Sequence, residues 1–388
     1  MAALPCGGGG RRRLLAAAAL FAVLVLLGGS LWYAGSVSRS ARPPPEPAPA
    51  SDSSELTVSA AESFARLCHE TRLTSGGLEP DVRQAMLDVC RQLGHAAPPS
   101  QPTGCRKAIT YDPIGRLGNL MGLYAIVYSF GRTYGATAYV ESGMWSTLHK
   151  YFPGISVRST EEVPHGAVWE DITYKEVHAK LECQPGDGSE ARFFRIMDWP
   201  MRNGIDVFHP FKTEMRHEFT FVEGLRNEAQ EFLRHARGNR SSVTYIGFHV
   251  RRTDFEAYVR KKYGRTLPDT EYFDRALAYY RHRFADALFI VCSDDLDFVT
   301  ERLRARQNDD IVIAGNRDIG DPGRDMALLS ACNHSVVTVG TYGFWGAYLA
   351  GGTVLVPDEK AHLSSADGRV PLLVVQEAGA TNWVTLWS

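Results

Sequence analysis

Residues 243–250, Val-Thr-Tyr-Ile-Gly-Phe-His-Val, break without a polar transition into Arg251-Arg252-Thr253-Asp254. A short, nearly continuous apolar run rich in β-branched and aromatic residues reads as a buried parallel strand. Parallel strands need crossover connections, usually helical, so the chain around this one must alternate strands with helices in an α/β fold. Open α/β sheets bind ligands outside the carboxyl ends of their strands. Arg251 and Arg252 stand at that edge, and Asp254 can hold one guanidinium in place, which makes a fork suited to a diphosphate. A merely solvated basic turn is disfavoured, because His249, Arg251 and Asp254 follow the apolar strand with no polar relief.

Two more junctions of the same kind follow. Residues 288–292 lead into Ser293-Asp294-Asp295-Leu296-Asp297 and a helix that Ser293 or Asp294 could cap. Asp295-Leu296-Asp297 also has the Asp-x-Asp spacing that can hold a divalent metal against a diphosphate. That reading is the weaker one, since arginines already supply positive charge and acids are common in a first helical turn; the acids could instead accept hydrogen bonds from a nucleobase. A short helix from Asp325 then feeds a strand at 335–339 that ends Gly340-Thr341-Tyr342-Gly343-Phe344-Trp345-Gly346. Thr341, Gly343 and Phe344 would open a helix whose N-terminus favours phosphate. Three such junctions in one half describe a nucleotide-diphosphate site.

Nearer the start, residues 107–111 read as a strand, followed by Gly115-Arg116-Leu117-Gly118-Asn119-Leu120-Met121-Gly122 and a helix to about Tyr134. The glycines lack dinucleotide or Walker spacing. Gly118 and Asn119 either let backbone N–H groups approach a ligand or let the helix pack closely on its strand.

Residues 14–34 carry no charge and are preceded by Arg11, Arg12 and Arg13. About 20 apolar residues span a bilayer as a helix, and flanking positive charge stays cytoplasmic. The expectation is a cytoplasmic tail (1–13), a transmembrane signal anchor (14–34), a stem (35–105) with a Pro-rich stretch and a possible helical collar, and two lobes at 106–240 and 241–388. A cleaved signal peptide is the alternative, although the apolar run is longer than usual for one. Cys6 falls in the tail, leaving six cysteines in an oxidising lumen, where Cys68, Cys90, Cys105 and Cys183 are better placed to pair than Cys292 and Cys332. A net charge of −2 offers no field for nucleic acid. Of two glycosylation sequons, Asn239 lies in a polar linker and Asn333 against a buried strand, so Asn239 is the better acceptor.

The block from Gly115 to Ala125, the block His249-Val-Arg-Arg-Thr-Asp254, and the block from Cys332 to Leu349 together resemble the galactoside α-1,2-fucosyltransferases, in the same order. That resemblance covers roughly residues 107–388. It implies a GT-B-like pair of Rossmann-like lobes around a cleft, GDP-β-L-fucose as donor, inversion at the anomeric carbon, a galactose-terminated glycan as acceptor, no metal or other cofactor, and a Golgi membrane enzyme of type II topology. It also implies that His249 meets ribose or phosphate, that Arg251 and Arg252 meet the diphosphate, that Asp294 or Asp295 meets the guanine, and that residues 341–344 meet the phosphates. The His-x-Arg-Arg block is shared with α-1,6- and protein O-fucosyltransferases, so it marks donor more than acceptor. Thr253, Phe255 and Leu123 depart from the galactoside pattern. Arg252 would stabilise the leaving phosphate, and Glu256, Asp254 and Asp112 are the candidate bases, with Glu256 placed first. Transfer to core GlcNAc or a protein hydroxyl, and a silent glycan-binding protein, remain alternatives. Oligomeric state is left open.

Overall fold

The computed structural model describes residues 105–184, 187–188, 190–200, 204–264, 266–304, 309–314, 321–357, 375 and 378–386. The expected anchor, the stem up to residue 104, Cys6, Cys68 and Cys90 lie outside the described residues. No helix among the described residues is long and apolar enough to cross a membrane.

The chain forms two parallel sheets. The first is built from β1 (Arg106–Tyr111), β2 (Thr137–Val140), β3 (Arg158–Ser159), β4 (Trp169–Ile172) and β5 (Ala191–Ile196), in the order β3-β2-β1-β5-β4. The second contains β6 (Thr244–Val250), β7 (Ala287–Ser293), β8 (Ile311–Ile313), β9 (His334–Val337), β10 (Val354–Pro357) and β11 (Trp383–Leu386), in the order β11-β10-β9-β6-β7-β8. Every pairing in both sheets is parallel. Connections carry α1 (Leu117–Tyr134), α2 (Ser142–Tyr151), α3 (Val177–Leu181), α4 (Ile205–Phe208), α5 (Lys212–Glu218) and α6 (Glu223–Arg237) in the first half. The second half has α7 (Thr253–Tyr263), α8 (Thr270–Arg283), α9 (Leu296–Arg304), α10 (Gly323–Ser330) and α11 (Thr341–Ala350).

All seven residues of β7 are buried, as are the last five of β6, which is why these segments read as unbroken apolar runs. The expected strand at 335–339 is β9, and it stops at Val337. Beyond it the Thr338 hydroxyl accepts from the Arg251 N–H at 3.0 Å, and Gly340 has φ 87°, so the ladder gives way to a turn. Helix α1 stops as abruptly, at Gly135 in the left-handed region with φ 65°.

The order of strands matters for function. In the first sheet β1 has β2 on one side and β5 on the other; in the second, β6 has β7 and β9. Each arrangement is a topological switch, where loops leaving adjacent strands diverge and open a crevice at the carboxyl edge.

An apolar core runs between the sheets. The Trp345 ring of α11 stacks on Phe208 of α4 at 5.2 Å and meets Phe219 edge-on at 5.0 Å, and Phe219 lies 5.4 Å from Tyr124 of α1. The Tyr124 hydroxyl donates to buried Glu218 and accepts from the N–H groups of Ser156 (3.0 Å) and Val157 (3.1 Å). Glu218 also accepts from the Ser156 N–H and hydroxyl, each at 2.7 Å, so the carboxylate is satisfied by fixed donors. Cys105 and Cys183 are joined in a disulfide, while Cys292 and Cys332 are buried free thiols. Burial pushes the Cys332 thiol up to about 12.

Candidate active site

The two carboxyl edges meet. Arg116, in the loop after β1, pairs with Asp254 at the start of α7 at 3.5 Å. Asn119, in the first turn of α1, accepts from the Thr341 hydroxyl of α11 at 2.5 Å. A Cβ added to Gly118 would lie 2.7 Å from the Tyr342 backbone nitrogen, so α1 and the first turn of α11 cross at backbone contact. Gly118 is therefore a packing glycine. The close crossing accounts for a glycine at 118, and Gly118 and Asn119 also border a small cavity beside Trp199.

The turn after β6 is held by Asp294. One oxygen accepts from the Arg252 N–H at 2.7 Å, and the other accepts from the Thr253 hydroxyl and pairs with the Arg251 guanidinium. Both oxygens are thus committed to shaping the arginine turn, and the expected contact between Asp294 and a guanine is not what this geometry offers. Thr253 sits at φ 23°, a value unusual for a side-chain-bearing residue, and its hydroxyl also accepts from Arg251 at 2.7 Å. Asp295 accepts from the Phe298 N–H at 3.0 Å, so it caps α9 in place of Ser293 or Asp294. The Ser293 hydroxyl instead accepts from the Asp295 N–H at 3.0 Å.

Arg251 is also paired with Asp254. Arg252 lies 3.8 Å over the face of Phe298 and donates to Glu256 at 2.8 Å. Only 15% of the Arg252 side chain and 17% of Arg251 is exposed, so both guanidiniums are pre-placed by packing. Asp254, by contrast, is 61% exposed. Partial burial works against its ionisation, but Arg251, Thr253 and Arg116 outweigh that and hold the carboxyl below its ordinary range. An incoming diphosphate can take the place of this exposed carboxylate at far lower cost than it could displace Asp294, which is 16% exposed.

His249 is 5% exposed, lies 5.3 Å from the Tyr342 ring, and has a buried Nδ1 with no hydrogen-bond partner. A Cβ on Gly343 would stand 2.5 Å from that nitrogen. Burial, reinforced by the charge of Arg251, pushes the imidazole down to about 3, so it is neutral at physiological pH. Gly343 is needed for the fit of α11 over His249, and Phe344 is a buried ring in the core. Neither reaches out as a binding side chain; what α11 presents is its first-turn backbone and Thr341.

Glu256 accepts from Arg252 and from Arg260, at 2.8 Å and 3.2 Å. Its two oxygens are engaged by two cations, which suits an arginine-positioning role better than that of a base. Asp112, directly after β1, is half-buried, and its carboxylate has no partner among the described residues. Sequence reading gave no individual role to Arg116 and Thr338, although both lie in the quoted blocks, and it passed over Phe298. For Arg116 a signal existed, since it leaves the carboxyl end of a buried strand just as Arg251 does.

Residues 81–367 match the model of glycosyl transferase family 11. The chain is similar to galactoside alpha-(1,2)-fucosyltransferase 2 of Sus scrofa, with 36% identity over 255 residues that cover 63% of this chain and 71% of the relative. It is 33% identical to the Pongo pygmaeus protein of the same name over 282 residues, 70% of this chain and 78% of that one. Among solved structures, a mutant of Arabidopsis thaliana FUT1 in complex with GDP aligns with TM-score 0.44 and 13% identity, covering 80% of each chain. Likeness that weak says nothing of substrate. The sequence matches do speak to family, and by them this chain belongs to glycosyl transferase family 11.

Proposed function

We propose that this protein transfers L-fucose from GDP-β-L-fucose to the 2-hydroxyl of a terminal galactose on a glycan, with inversion. The observation that carries the reading is the turn 251–254, where two packed guanidiniums and the N-terminus of α11 converge on the crevice between β6 and β9. Such a site suits a nucleoside diphosphate. The names of the relatives support fucose and galactose as the sugar pair. The layout of two parallel sheets with facing carboxyl edges is that of a GT-B-like enzyme, with the donor on the second sheet and the acceptor on the first. No metal or other cofactor is part of this reading.

In the reaction the galactose 2-oxygen attacks the anomeric carbon of fucose, and the bond from that carbon to the β-phosphate oxygen breaks. GDP leaves with the electron pair. Negative charge grows on the phosphate, and Arg251 and Arg252, already desolvated and oriented, stabilise it more in the transition state than in the ground state. Neutral His249 packs beneath the turn without adding charge. The proton of the attacking hydroxyl goes to Asp112, the one of the three candidate carboxylates that is not paired among the described residues. A disulfide at Cys105–Cys183 suits an oxidising lumen, which supports a Golgi membrane enzyme anchored by residues 14–34 with its two lobes in the lumen.

The test is transfer by the full chain from GDP-fucose to β-galactosides, with product linkage read by NMR. An α-1,2 product is expected, and Arg252→Ala should cut kcat/KM by about 10²-fold or more. Transfer to a protein hydroxyl or to GlcNAc would replace the acceptor and keep the donor, whereas no affinity for GDP-fucose would remove both.

A further inference from the structure

The first sheet has its own crevice, between the loops that leave β1 and β5, and an aromatic side chain marks it. Trp199, three residues past the end of β5, is 42% exposed, an uncommon state for the largest apolar side chain. The exposure is built in. The preceding residue is fixed from two sides: the Asp198 carbonyl accepts from the Tyr111 hydroxyl at 2.6 Å, and its carboxylate accepts from the Tyr174 N–H at 2.5 Å. The Met197 N–H donates to the Ile172 carbonyl at 3.0 Å, and Pro200 restrains Trp199 to extended backbone. An indole on so rigid a mount loses little entropy when it binds.

The indole also borders a cavity. Asn119 and Thr341 stand at its polar side and Phe208, Phe344 and Trp345 at its apolar side, and Thr341 is the same residue that opens α11 at the donor crevice. The cavity itself, about 20 Å³ and walled by side chains packed in the core, is too small for a sugar, so it is the exposed ring at its mouth that fits a pyranose, which has one C–H-rich face and a rim of hydroxyls.

We infer that Trp199 is the stacking platform for the acceptor galactose, which it holds face-on at the edge of the first sheet with its reacting hydroxyl turned toward the β6–β9 crevice. This rests on the proposed fucosyl transfer, and names the acceptor subsite of that same reaction.

The experiment uses the full chain labelled with 5-fluorotryptophan, whose seven tryptophans give seven ¹⁹F resonances, with Trp199→Phe identifying the one at issue. Lactose is titrated in, and steady-state kinetics are run alongside. The Trp199 resonance should shift, and Trp199→Ala should raise the acceptor KM about tenfold or more, with Trp199→Phe intermediate and GDP affinity within about twofold of wild type. If wild type makes the fucosylated galactoside but lactose leaves the Trp199 resonance unmoved and Trp199→Ala keeps its acceptor KM, the inference fails and the proposed function stands. A fall in melting temperature with equal loss at donor and acceptor would assign Trp199 a structural role and overturn the inference as well. If wild type neither transfers to lactose nor shifts any resonance with it, both readings fall together.

Discussion

The carboxylates around the arginine turn differ in what they already hold, and that difference predicts separate kinetic signatures. Asp112 has no side-chain partner among the described residues, so Asp112→Asn should lower kcat by about 10²-fold or more while donor KM holds, as measured by fucose transfer at saturating acceptor. Glu256 positions Arg252, so Glu256→Gln should act first on donor KM; a kcat collapse in Glu256→Gln with Asp112→Asn unaffected would reverse the assignment. His249 makes a pH prediction whose sign follows from its environment. Its folded pKa is depressed to about 3 from an ordinary 6.5, so between those values the unfolded chain binds the extra proton. Stability contributed by the buried neutral ring is intact above about 6.5 and lost progressively as pH falls toward 3, by at most about 1.4 kcal/mol per pH unit. Because carboxylates such as Asp187 and Asp254 also lose stabilising pairs in acid, the test is a difference: His249→Asn should show a shallower fall of melting temperature between pH 6.5 and 4 than wild type.

At the scale of elements, the site depends on how closely α1 and α11 cross. The Cβ of a Gly118→Ala variant would lie 2.7 to 2.9 Å from backbone atoms of Thr341 and Tyr342, and backbone cannot swing aside as a side chain end can. The variant should lose about 1–3 kcal/mol in denaturant unfolding and weaken GDP binding, since Thr341 moves with the helix start. How far such features could be read beforehand follows from their physics. Strands β6 and β7 were legible because burial on both faces leaves an apolar run with sharp ends, and the arginines were legible because they follow those ends. That Asp294 and Glu256 brace the arginines was not legible, because a carboxylate that braces an arginine and one that meets a ligand have the same sequence. Trp199 was passed over altogether: within Met197-Asp198-Trp199-Pro200 nothing in composition says that the indole points outward. That orientation is set by Tyr111 and Tyr174, residues distant in the chain.

The molecule as a whole is tied together at the edge of its first sheet. Cys105, at the entry to β1, is bonded to Cys183, just past α3, and Lys107 beside it is buried in an ion pair with Asp187 at 2.8 Å. The bridge closes a loop with a sequence separation of 78, which contains β1 to β4 and α1 to α3. Constraining the unfolded chain over that span stabilises the fold by about 4 kcal/mol on loop-entropy grounds. The core between the sheets is continuous through Phe208, Trp345, Phe219 and Tyr124, so loosening of the first sheet should be felt by the second and by the crevice they share. Cys105→Ser is thus expected to lower the melting temperature by several degrees and to lower it in a single transition; two separated transitions would mean that the sheets unfold independently. Thiol labelling in the native state gives the complementary reading. Cys292 and Cys332 are buried, and burial raises both thiols above their ordinary range, so in wild type both should react only as the protein unfolds. If Cys105→Ser makes them reactive before global unfolding, the bridge at one sheet governs opening beneath the arginine turn of the other, since Cys292 pairs in register with His249.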